Sequence, residues 1–280
     1  MKPVKRKFSL VLATLGRDDT VDLFLASLAS QDYPSDLVEV IIVDQNTDGR
    51  LDEIVTRHRG QISLIHIKSP IRGLSLNRNI GLNHARGDIV GFPDDDCEYP
   101  HDLLSKVDAS FNALGVDVLL GRIWDRKQNK SAIRNWPGKT IALNSYNFYR
   151  LTSSITLFTK VVTQRFDERF GLGAQYGSNE DVIFVSSLLR SGATGQYVPS
   201  ITVYHEDQPL TVLSREKVTN YALGFGRFAR EYRSMPVLAI FLFSVLFQAL
   251  HLLKALGSFD MRSARLRAAS LRGRIRGFLL

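Results

Sequence analysis

The stretch Asp88-Ile89-Val90-Gly91-Phe92-Pro93-Asp94-Asp95-Asp96 gives the strongest local signal in the sequence. Its apolar half predicts a short buried strand that stops at the proline, since proline cannot continue a strand ladder. The three carboxylates that follow repel one another, and a bound cation commonly neutralises such a set. Oxygen ligands favour Mg²⁺ or Mn²⁺, which also bind substrate phosphates. A solvated acidic turn is the alternative interpretation.

Strand-like and helix-like segments alternate on both sides of this stretch. Short apolar runs predict buried strands, whereas apolar residues three and four positions apart predict helices. Such alternation predicts βαβ units and an α/β fold with a mostly parallel sheet. The predicted strands are 8–14, 38–44, 62–67, 88–92, 116–123 and 197–204, and the predicted helices are 21–30, 51–59, 74–85, 101–114 and 181–190.

Polar residues follow these strands at the edge where an open α/β sheet binds its ligands. Thr14 and Arg17 follow the first strand, and Asp44 ends the second. An acid in that position is typical of ribose recognition, but a turn or helix cap explains Asp44 equally well. The sequence contains no G-x-x-x-x-G-K-[ST] motif and no G-x-G-x-x-G after the first strand. A P-loop or dinucleotide-binding protein is therefore disfavoured.

Composition limits the class of protein. The chain has 280 residues, of which 44% are hydrophobic and 23% charged, and this suits one domain with an appendage. The single cysteine, Cys97, excludes an internal disulfide framework and a cysteine-rich zinc site. The apolar run at 8–15 lacks a small-residue cleavage site, so we expect the protein to stay in the cytoplasm.

The net charge of +8 is concentrated towards the C-terminus. Residues 254–280 contribute +6 and residues 215–233 contribute +3, which leaves residues 1–212 near −1. A nucleic-acid-binding protein usually carries its basic patch on the folded body. Here the basic residues flank an apolar segment, which indicates an anionic membrane surface as the partner and argues against nucleic acid.

Several stretches, in order along the chain, resemble the nucleotide-sugar glycosyltransferases of family 2, whose fold is GT-A. Residues 92–96 resemble the family's D-x-D motif, with its two acids at Asp94 and Asp96. Residues 179–181 are similar to its E-D motif. The resemblance extends over residues 8–205, and its other stretches are 8–17, 30–34, 43–44, 73–75, 78–82, 85–88 and 170–173.

The resemblance implies a metal-dependent transferase. Asp96 and Asp94 would bind Mg²⁺ or Mn²⁺ at the donor diphosphate, where the cation offsets the charge of the leaving group. His205 is a further candidate metal ligand, with a structural histidine as the alternative. Arg78 would reach the phosphates, with a salt bridge on the helix surface as the alternative. The implied donor pocket contains Thr14, Arg17, Asp44, Arg78, Asp94 and Asp95.

The E-D motif supplies the implied base. Asp181 would take the proton from the acceptor hydroxyl as that oxygen attacks the anomeric carbon from the face opposite the leaving group. A single displacement of this kind inverts the anomeric configuration. Glu180 would orient the acceptor or cap the helix that begins there. Without the resemblance, two acids at a helix N-terminus are explained by the helix dipole.

A basic and apolar module, residues 213–280, is predicted to follow a GT-A catalytic domain of residues 1–212. Residues 237–253 are largely apolar, and a helix continued to residue 257 would be about 31 Å long, close to the thickness of a bilayer core. Both flanks are basic, which favours an in-plane or re-entrant helix over a full span. A buried core helix is the alternative.

The last residues predict an amphipathic helix at the membrane interface. Gly273 and Gly277 weaken this helix in isolation, so we expect it to form in contact with lipid or with the catalytic domain. A surface helix that serves an oligomer is the alternative. Its apolar stripe consists of Ala264, Ala268, Leu271, Ile275 and Phe278. The residues expected to contact the membrane are Val237, Phe241, Phe247, Arg265, Arg272 and Arg276.

Together these features predict an inverting transferase that moves a sugar from a nucleotide-diphosphate donor, with UDP as the choice that the resemblance implies. The predicted acceptor is a saccharide held at the membrane on a polyprenyl diphosphate, and the predicted role is surface polysaccharide synthesis. The predicted location is the cytoplasmic face of the cell membrane, as a peripheral or monotopic protein, with a single span as the alternative. A sugar-nucleotide nucleotidyltransferase and a catalytically silent membrane-bound scaffold stay open as other functions.

Overall fold

The computed structural model of the protein describes residues 5–160, 163–206 and 213–280. The chain divides into two compact units. Unit 1 comprises residues 1–72, 76–165 and 185–207, and unit 2 comprises residues 73–75, 166–184 and 208–280. The predicted domain boundary at residue 212 lies outside the described residues.

Unit 1 is built around a mixed sheet. Its strands are β1 (Phe8–Thr14), β2 (Val38–Asp44), β3 (Ser63–Lys68), β4 (Ile89–Gly91), β5 (Val118–Asp125), β6 (Lys130–Ser131), β7 (Ile141–Ala142), β8 (Phe158–Lys160) and β9 (Gly195–Tyr204). The helices along this part of the chain are α1 (Asp19–Ala29), α2 (Asp52–His58), α3 (Leu74–Leu82), α4 (Leu103–Leu114), α5 (Phe148–Leu151) and α6 (Glu180–Arg190), with 3-10 turns at Ser35–Leu37 and Ser154–Thr156. Helices α3 and α6 begin in residues of unit 2.

The strand order is β3-β2-β1-β4-β8-β5-β9-β7, and β6 pairs with β5. The ladders β1/β2, β2/β3, β1/β4 and β5/β9 are parallel, whereas β8 and β7 pair antiparallel with their neighbours. The predicted α/β class with parallel strands is confirmed. The three short strands β6, β7 and β8 were not predicted, because two or three residues carry no readable period.

The register of the central strands explains where the polar residues gather. Strand β1 runs beside β2 from the pair Phe8↔Val38 to the pair Thr14↔Asp44. Every residue of both strands is buried, as expected for parallel strands covered on both faces. Because parallel strands end at the same edge, this register places Thr14 and Asp44 side by side.

Helix α3 lies close against the central strands because of a glycine. A Cβ added at Gly81 would lie 2.4 Å from Val11 Cγ1 and 3.3 Å from Val43 Cγ2. No side chain fits in that space without a shift of the sheet. Helix α3 ends at Leu82, three residues before the predicted end. Helix α1 is capped by Asp18, whose side chain accepts a hydrogen bond from the amide of Asp19.

Unit 2 contains three long helices, α7 (Arg215–Glu231), α8 (Met235–Gly257) and α9 (Met261–Leu279). Helices α7 and α9 approach each other at glycines. A Cβ at Gly226 would lie 2.1 Å from the carbonyl oxygen of Arg274, and a Cβ at Gly277 would lie 2.1 Å from that of Leu223. Gly273 and Gly277, which are expected to weaken α9 only in isolation, allow the two backbones to make contact here.

The buried face of α9 differs from the predicted apolar stripe. Ala264 of that stripe is buried, but Ile275 is 43% exposed, and Phe278 stacks on Phe241 of α8 with ring centroids 4.6 Å apart. The predicted apolar stripe therefore does not form a continuous exposed face on α9. The face that α9 buries consists of Ala264, Leu266, Ala269, Ser270, Gly273 and Gly277.

Helix α8 leaves most of its apolar surface uncovered. Its most apolar window has a mean hydropathy of 2.1, and only 11% of that window is buried. By length and composition, α8 is long and apolar enough to cross a membrane. The interpretation of α8 as a buried core helix is wrong. Its contacts within unit 2 are partly polar: Arg274 Nε donates to Ser244 Oγ at 2.7 Å, and Arg267 Nη1 donates to Gln248 Oε1 at 3.1 Å.

Candidate functional site

The acidic turn after β4 meets the end of β1 in unit 1. Thr14 Oγ1 donates a hydrogen bond to Asp95 Oδ2 at 2.6 Å. Arg17 lies across the same turn, with Nη2 3.2 Å from Asp96 Oδ2 and Nε 3.9 Å from Asp95 Oδ1. The structure thus brings together four of the residues predicted for the donor pocket and the metal.

Asp95 is a carboxylate of this turn whose pKa is raised. Burial raises its pKa to about 6, and the neighbouring charges of Asp96 and Asp94 add to the rise, against the hydrogen bond from Thr14. Repulsion among the three acids, which the sequence indicated, is thus visible in the structure. A cation or an additional hydrogen-bond donor placed here would be stabilised by this excess of negative charge.

His205, directly after β9, lies against the same turn. Its Nε2 lies 3.3 Å from Asp96 Oδ1, and this pairing raises the pKa of the imidazole and lowers the pKa of the carboxyl. The other ring nitrogen, Nδ1, is buried and makes no hydrogen bond within the described part of the chain. Buried polar atoms in folded proteins almost always have a hydrogen-bond partner. The buried Nδ1 of His205 therefore indicates a position where a bound ligand would supply that partner.

Asp94 and Arg78 form a separate pair. Arg78 is 0% exposed, and its Nη2 lies 2.8 Å from Asp94 Oδ1. The alternative of a helix-surface salt bridge is therefore wrong for Arg78, because its side chain is buried and a buried guanidinium needs a carboxylate close by. The contact of Arg78 with the donor phosphates and the contact of Asp94 with the metal stay predictions.

The residues fit a divalent cation only in part. No group of three or more His, Cys, Asp or Glu side chains within residues 5–160, 163–206 and 213–280 is arranged to hold a metal ion. Of the predicted ligands Asp94, Asp96 and His205, the structure brings only the last two together. One carboxylate and one imidazole fit a cation that takes its remaining ligands from phosphate and water, as Mg²⁺ and Mn²⁺ commonly do.

Asp44 is held by donors of its own unit. Its side chain is 0% exposed; Oδ1 accepts from both the amide and the side chain of Asn46 at 2.8 Å, and Oδ2 lies 3.0 Å from His66 Nε2 and 3.1 Å from Lys68 Nζ. Burial raises the pKa of Asp44, but these donors outweigh it and lower the pKa. The structure favours the turn-cap interpretation of Asp44 over direct ribose binding.

His66 and Lys68 were missed in the sequence. Both lie on β3 two residues apart, so they project from the same face of the sheet. The sequence did contain a signal for this contact. Polar and apolar residues alternate at His66-Ile67-Lys68, on the strand beside the one that ends in Asp44. Asn46 extends the network, because its Oδ1 accepts from the amide of Gly16 at 2.6 Å. The loop after β1 is therefore fixed by the loop after β2.

The E-D segment belongs to unit 2, where it opens α6. Glu180 and Asp181 are both partly exposed, and Asp181 Oδ1 accepts from the amide of Val182 at 2.8 Å. Gly171 stands beside them with φ 104°, and a Cβ there would lie 2.9 Å from Ser75 Oγ and 3.3 Å from Glu180 Cγ. A glycine is thus required for this loop to pass so close to Glu180.

The residues predicted to contact a membrane differ in their exposure. Val237 is 2% exposed, so it packs inside unit 2 and we remove it from the set. Phe241 is half-buried, whereas Phe247 is 38% exposed. The three arginines of the set are exposed on α9, namely Arg265, Arg272 and Arg276.

Comparison with known proteins identifies the family. The family model for Glycosyl transferase family 2 matches residues 9–166. The chain belongs to glycosyl transferase family 2. The matched span contains Thr14, Arg17, Asp44, Arg78 and residues 94–96, and it ends before the E-D segment and before His205. Membership in family 2 confirms the resemblance on which the expected roles were based.

Curated relatives match about half of the chain. The poly(ribitol-phosphate) beta-N-acetylglucosaminyltransferase TarS of Staphylococcus aureus (strain Mu50) is 28% identical over 151 residues, which are 52% of this chain and 26% of TarS. The beta-monoglucosyldiacylglycerol synthase of Synechocystis sp. (strain PCC 6803) is 30% identical over 150 residues, which are 49% of this chain and 29% of that protein. The chain therefore spans little more than a quarter of the length of these relatives.

Solved structures resemble the chain over most of its length. TarS 1–349 in complex with UDP-GlcNAc aligns with a TM-score of 0.60 at 21% identity, over 96% of this chain and 92% of that one. The mannosyltransferase PcManGT from Pyrobaculum calidifontis, in complex with GDP-Man and Mn²⁺, aligns with a TM-score of 0.65 at 16% identity, over 97% and 88%. At these identities the likeness shows the fold, and the predicted GT-A fold is confirmed.

Proposed function

We propose that this family 2 glycosyltransferase moves a sugar from a nucleoside-diphosphate donor to an acceptor hydroxyl with inversion at the anomeric carbon. The pairing of Asp96 with His205, next to Thr14 and Arg17, carries the proposal. These residues place the carboxylate of Asp96, the imidazole of His205 and the guanidinium of Arg17 together at the sheet edge where α/β proteins bind ligands. A cation bound among these residues would supply the positive charge that a diphosphate needs.

Asp96 and His205 would hold a Mg²⁺ or Mn²⁺ ion at the donor diphosphate. When bound, the cation supplies Lewis-acid stabilisation of the charge that develops on the leaving group. Arg17 contributes positive charge beside the same carboxylates, and Thr14 keeps the side chain of Asp95 in place. The Mn²⁺ in the PcManGT complex supports this choice of ion.

Asp181 is the proposed base. It opens α6 and is partly exposed, which places a carboxylate within reach of solvent and of an acceptor hydroxyl. Glu180, fixed against Gly171, is proposed to orient the acceptor. These two roles rest on the resemblance of residues 179–181 to the E-D motif of the family.

The proposed donor is a UDP-sugar and the proposed acceptor is a saccharide carried by a membrane lipid through a diphosphate. The UDP-GlcNAc complex of TarS supports the donor class. The uncovered apolar surface of α8 and the exposed arginines of α9 support an acceptor at an anionic membrane surface. We place the enzyme on the cytoplasmic face, with α8 in the plane of the interface and the product used for a surface polysaccharide.

A donor screen tests the transferase. Purified protein with Mn²⁺ and a lipid-linked acceptor extract is assayed for nucleoside-diphosphate release from each nucleotide sugar. We expect release from one donor that is lost with EDTA, with Asp96→Ala and with Asp181→Asn. The control is Asp102→Asn, which removes an exposed acid paired only with Lys106 in the next helical turn and should retain turnover.

Three outcomes would contradict the proposal. Release of diphosphate from a nucleoside triphosphate would favour a sugar-nucleotide nucleotidyltransferase. Donor binding without turnover, unchanged in both variants, would favour a catalytically silent scaffold. Turnover that persists in EDTA would contradict the proposed role of the metal but not the proposed sugar transfer.

Liposome flotation tests the membrane contact. Leu250 is 65% exposed on α8, and Leu23 is 67% exposed on α1, so they form a matched pair. Leu250→Gln is expected to weaken retention on phosphatidylglycerol vesicles several-fold, because about 1–3 kcal/mol of apolar burial in the interface is lost. Leu23→Gln should leave it unchanged. Equal retention of both variants would count against α8 as the contact.

A further inference from the structure

A second basic region lies inside unit 1, apart from the donor turn. Residues 126–150 contain six Lys and Arg residues and no Asp or Glu. Some of these bases are neutralised by acids elsewhere in unit 1: Arg126 Nη1 lies 2.7 Å from Glu98 Oε1, and Lys127 pairs with Glu206. Two further bases of this segment, Arg134 and Arg150, line a cavity.

The cavity has a volume of about 580 Å³ and no acidic residue in its lining, which consists of Arg134, Asn135, Pro137, Ile141, Asn147, Arg150 and Leu151. Neither guanidinium has an ion-pair partner within the described residues. Cationic side chains that share a concave wall without acids focus a positive potential into it. The volume lies in the range of small-molecule sites.

Arg134 is held in a fixed position at this wall. Its Nη1 donates to the backbone carbonyls of Tyr149 at 3.3 Å and Arg150 at 3.1 Å, and its guanidinium lies 5.0 Å from the centre of the Trp136 ring. Trp136 in turn stacks on Tyr197, with centroids 6.2 Å apart. A guanidinium fixed in this way loses little entropy when it binds an anion.

The loop that carries Arg134 is strained. Ile133 has φ 67°, a left-handed conformation that is costly for a β-branched residue. The strain is maintained because the carbonyl of Ala132 accepts from the amide of Arg134 at 2.7 Å and from Trp136 Nε1 at 3.0 Å. Ile133 itself is 54% exposed, so burial of its side chain does not account for the conformation. Strain of this kind clusters at ligand sites.

We propose that this cavity binds a phosphate group of the acceptor, with Arg134 and Arg150 as its two cationic contacts. Guanidinium groups bind phosphate oxygens through paired, charge-assisted hydrogen bonds. Asn135 supplies an amide, and Ile141 and Leu151 offer an apolar wall to the carbon skeleton beside the phosphate. The proposal rests on the transferase function and adds to it the place in unit 1 where a phosphate of the acceptor binds.

Trp136 provides a local reporter for the test. The chain contains two tryptophans, so Trp124→Phe leaves Trp136 as the single source of indole emission. This variant is titrated with glycerol 3-phosphate in the presence of EDTA, which keeps the donor turn out of the measurement. We expect a saturable change in Trp136 emission. In the same background, Arg150→Gln is expected to weaken binding at least about tenfold, since one charge-assisted pair is lost.

The matched control is Lys139→Gln, which removes one positive charge of the same segment outside the cavity lining. It should change the affinity less than twofold. Equal weakening by Arg150→Gln and Lys139→Gln would reduce the effect to general electrostatics and overturn the proposal, as would the absence of any Trp136 response.

A second arm separates two sources of phosphate. The same variants are titrated with phosphatidylglycerol vesicles. A response to soluble glycerol 3-phosphate that is lost in Arg150→Gln supports an acceptor phosphate. A response to vesicles alone would assign the cavity to lipid headgroups and overturn the acceptor assignment. Because neither arm needs donor or metal, failure of this proposal and failure of the donor screen are distinguishable.

Discussion

His205 Nε2 lies 3.3 Å from Asp96 Oδ1, which joins the end of β9 to the turn after β4. The two residues are more than a hundred positions apart in sequence, and only the sheet brings them together. If they share a cation, His205→Ala should raise the Mn²⁺ concentration for half-maximal turnover at least about tenfold. His84→Ala, which removes an exposed histidine, is the control. The same Mn²⁺ dependence in both variants would make His205 a structural residue.

Breaking the buried pair of Arg78 and Asp94 should destabilise unit 1. Arg78→Met is expected to cost about 2–3 kcal/mol in the free energy of unfolding, below the value for a fully buried pair because 38% of the Asp94 side chain reaches solvent. Urea unfolding measures this cost. Arg50→Met removes the exposed pair with Asp48 and should leave the urea midpoint almost unchanged, because water screens an exposed ion pair. Equal costs would contradict the buried role of Arg78.

Glu39 should make the stability of unit 1 sensitive to acid. Burial raises the pKa of this carboxyl, but hydrogen bonds from Ser9 and the amide of Arg86, with Lys7 close by, outweigh burial and lower the pKa. A carboxyl with a lowered pKa in the folded state stabilises the fold fully above its ordinary pKa of 4.5, and it loses this contribution as the pH falls through the lowered value.

The test compares thermal unfolding of Glu39→Gln with that of the native chain across pH. We expect the variant to be less stable by about 1–2 kcal/mol near pH 7, and the difference to shrink below pH 4.5. Glu53→Gln, at an exposed position of α2, should show no such trend. A stability difference between Glu39→Gln and the native chain that stays constant down to about pH 3 would contradict this role of Glu39.

The contact of α7 with α9 should depend on glycine. An added Cβ at Gly277 would meet backbone at 2.1 Å, so Gly277→Ala should destabilise unit 2 by about 1–3 kcal/mol. Gly257 at the end of α8 has nothing within 4 Å of an added Cβ, and Gly257→Ala should be neutral or slightly stabilising. Limited proteolysis of the C-terminal helices measures the difference in stability between the two variants. Similar resistance of both variants would argue against close backbone contact.

Much of the fold was readable from the sequence because its signals are local. The apolar runs at β1 and β2 and the proline after β4 fix strands and their ends, and helical spacing marks α1, α4 and α6. Strand ends of a parallel sheet must share an edge, so the meeting of Thr14 with the acidic turn followed from the order of the elements alone.

The partners of individual side chains were decided only by tertiary structure. The sequence did not show that β3 supplies His66 and Lys68 to Asp44, or that Arg78 lies buried beside Asp94. It also did not show that α7 packs against the glycines of α9. Periodicity shows which face of an element is apolar. It does not show which distant element covers that face, because this depends on the register and close packing of segments far apart in the chain.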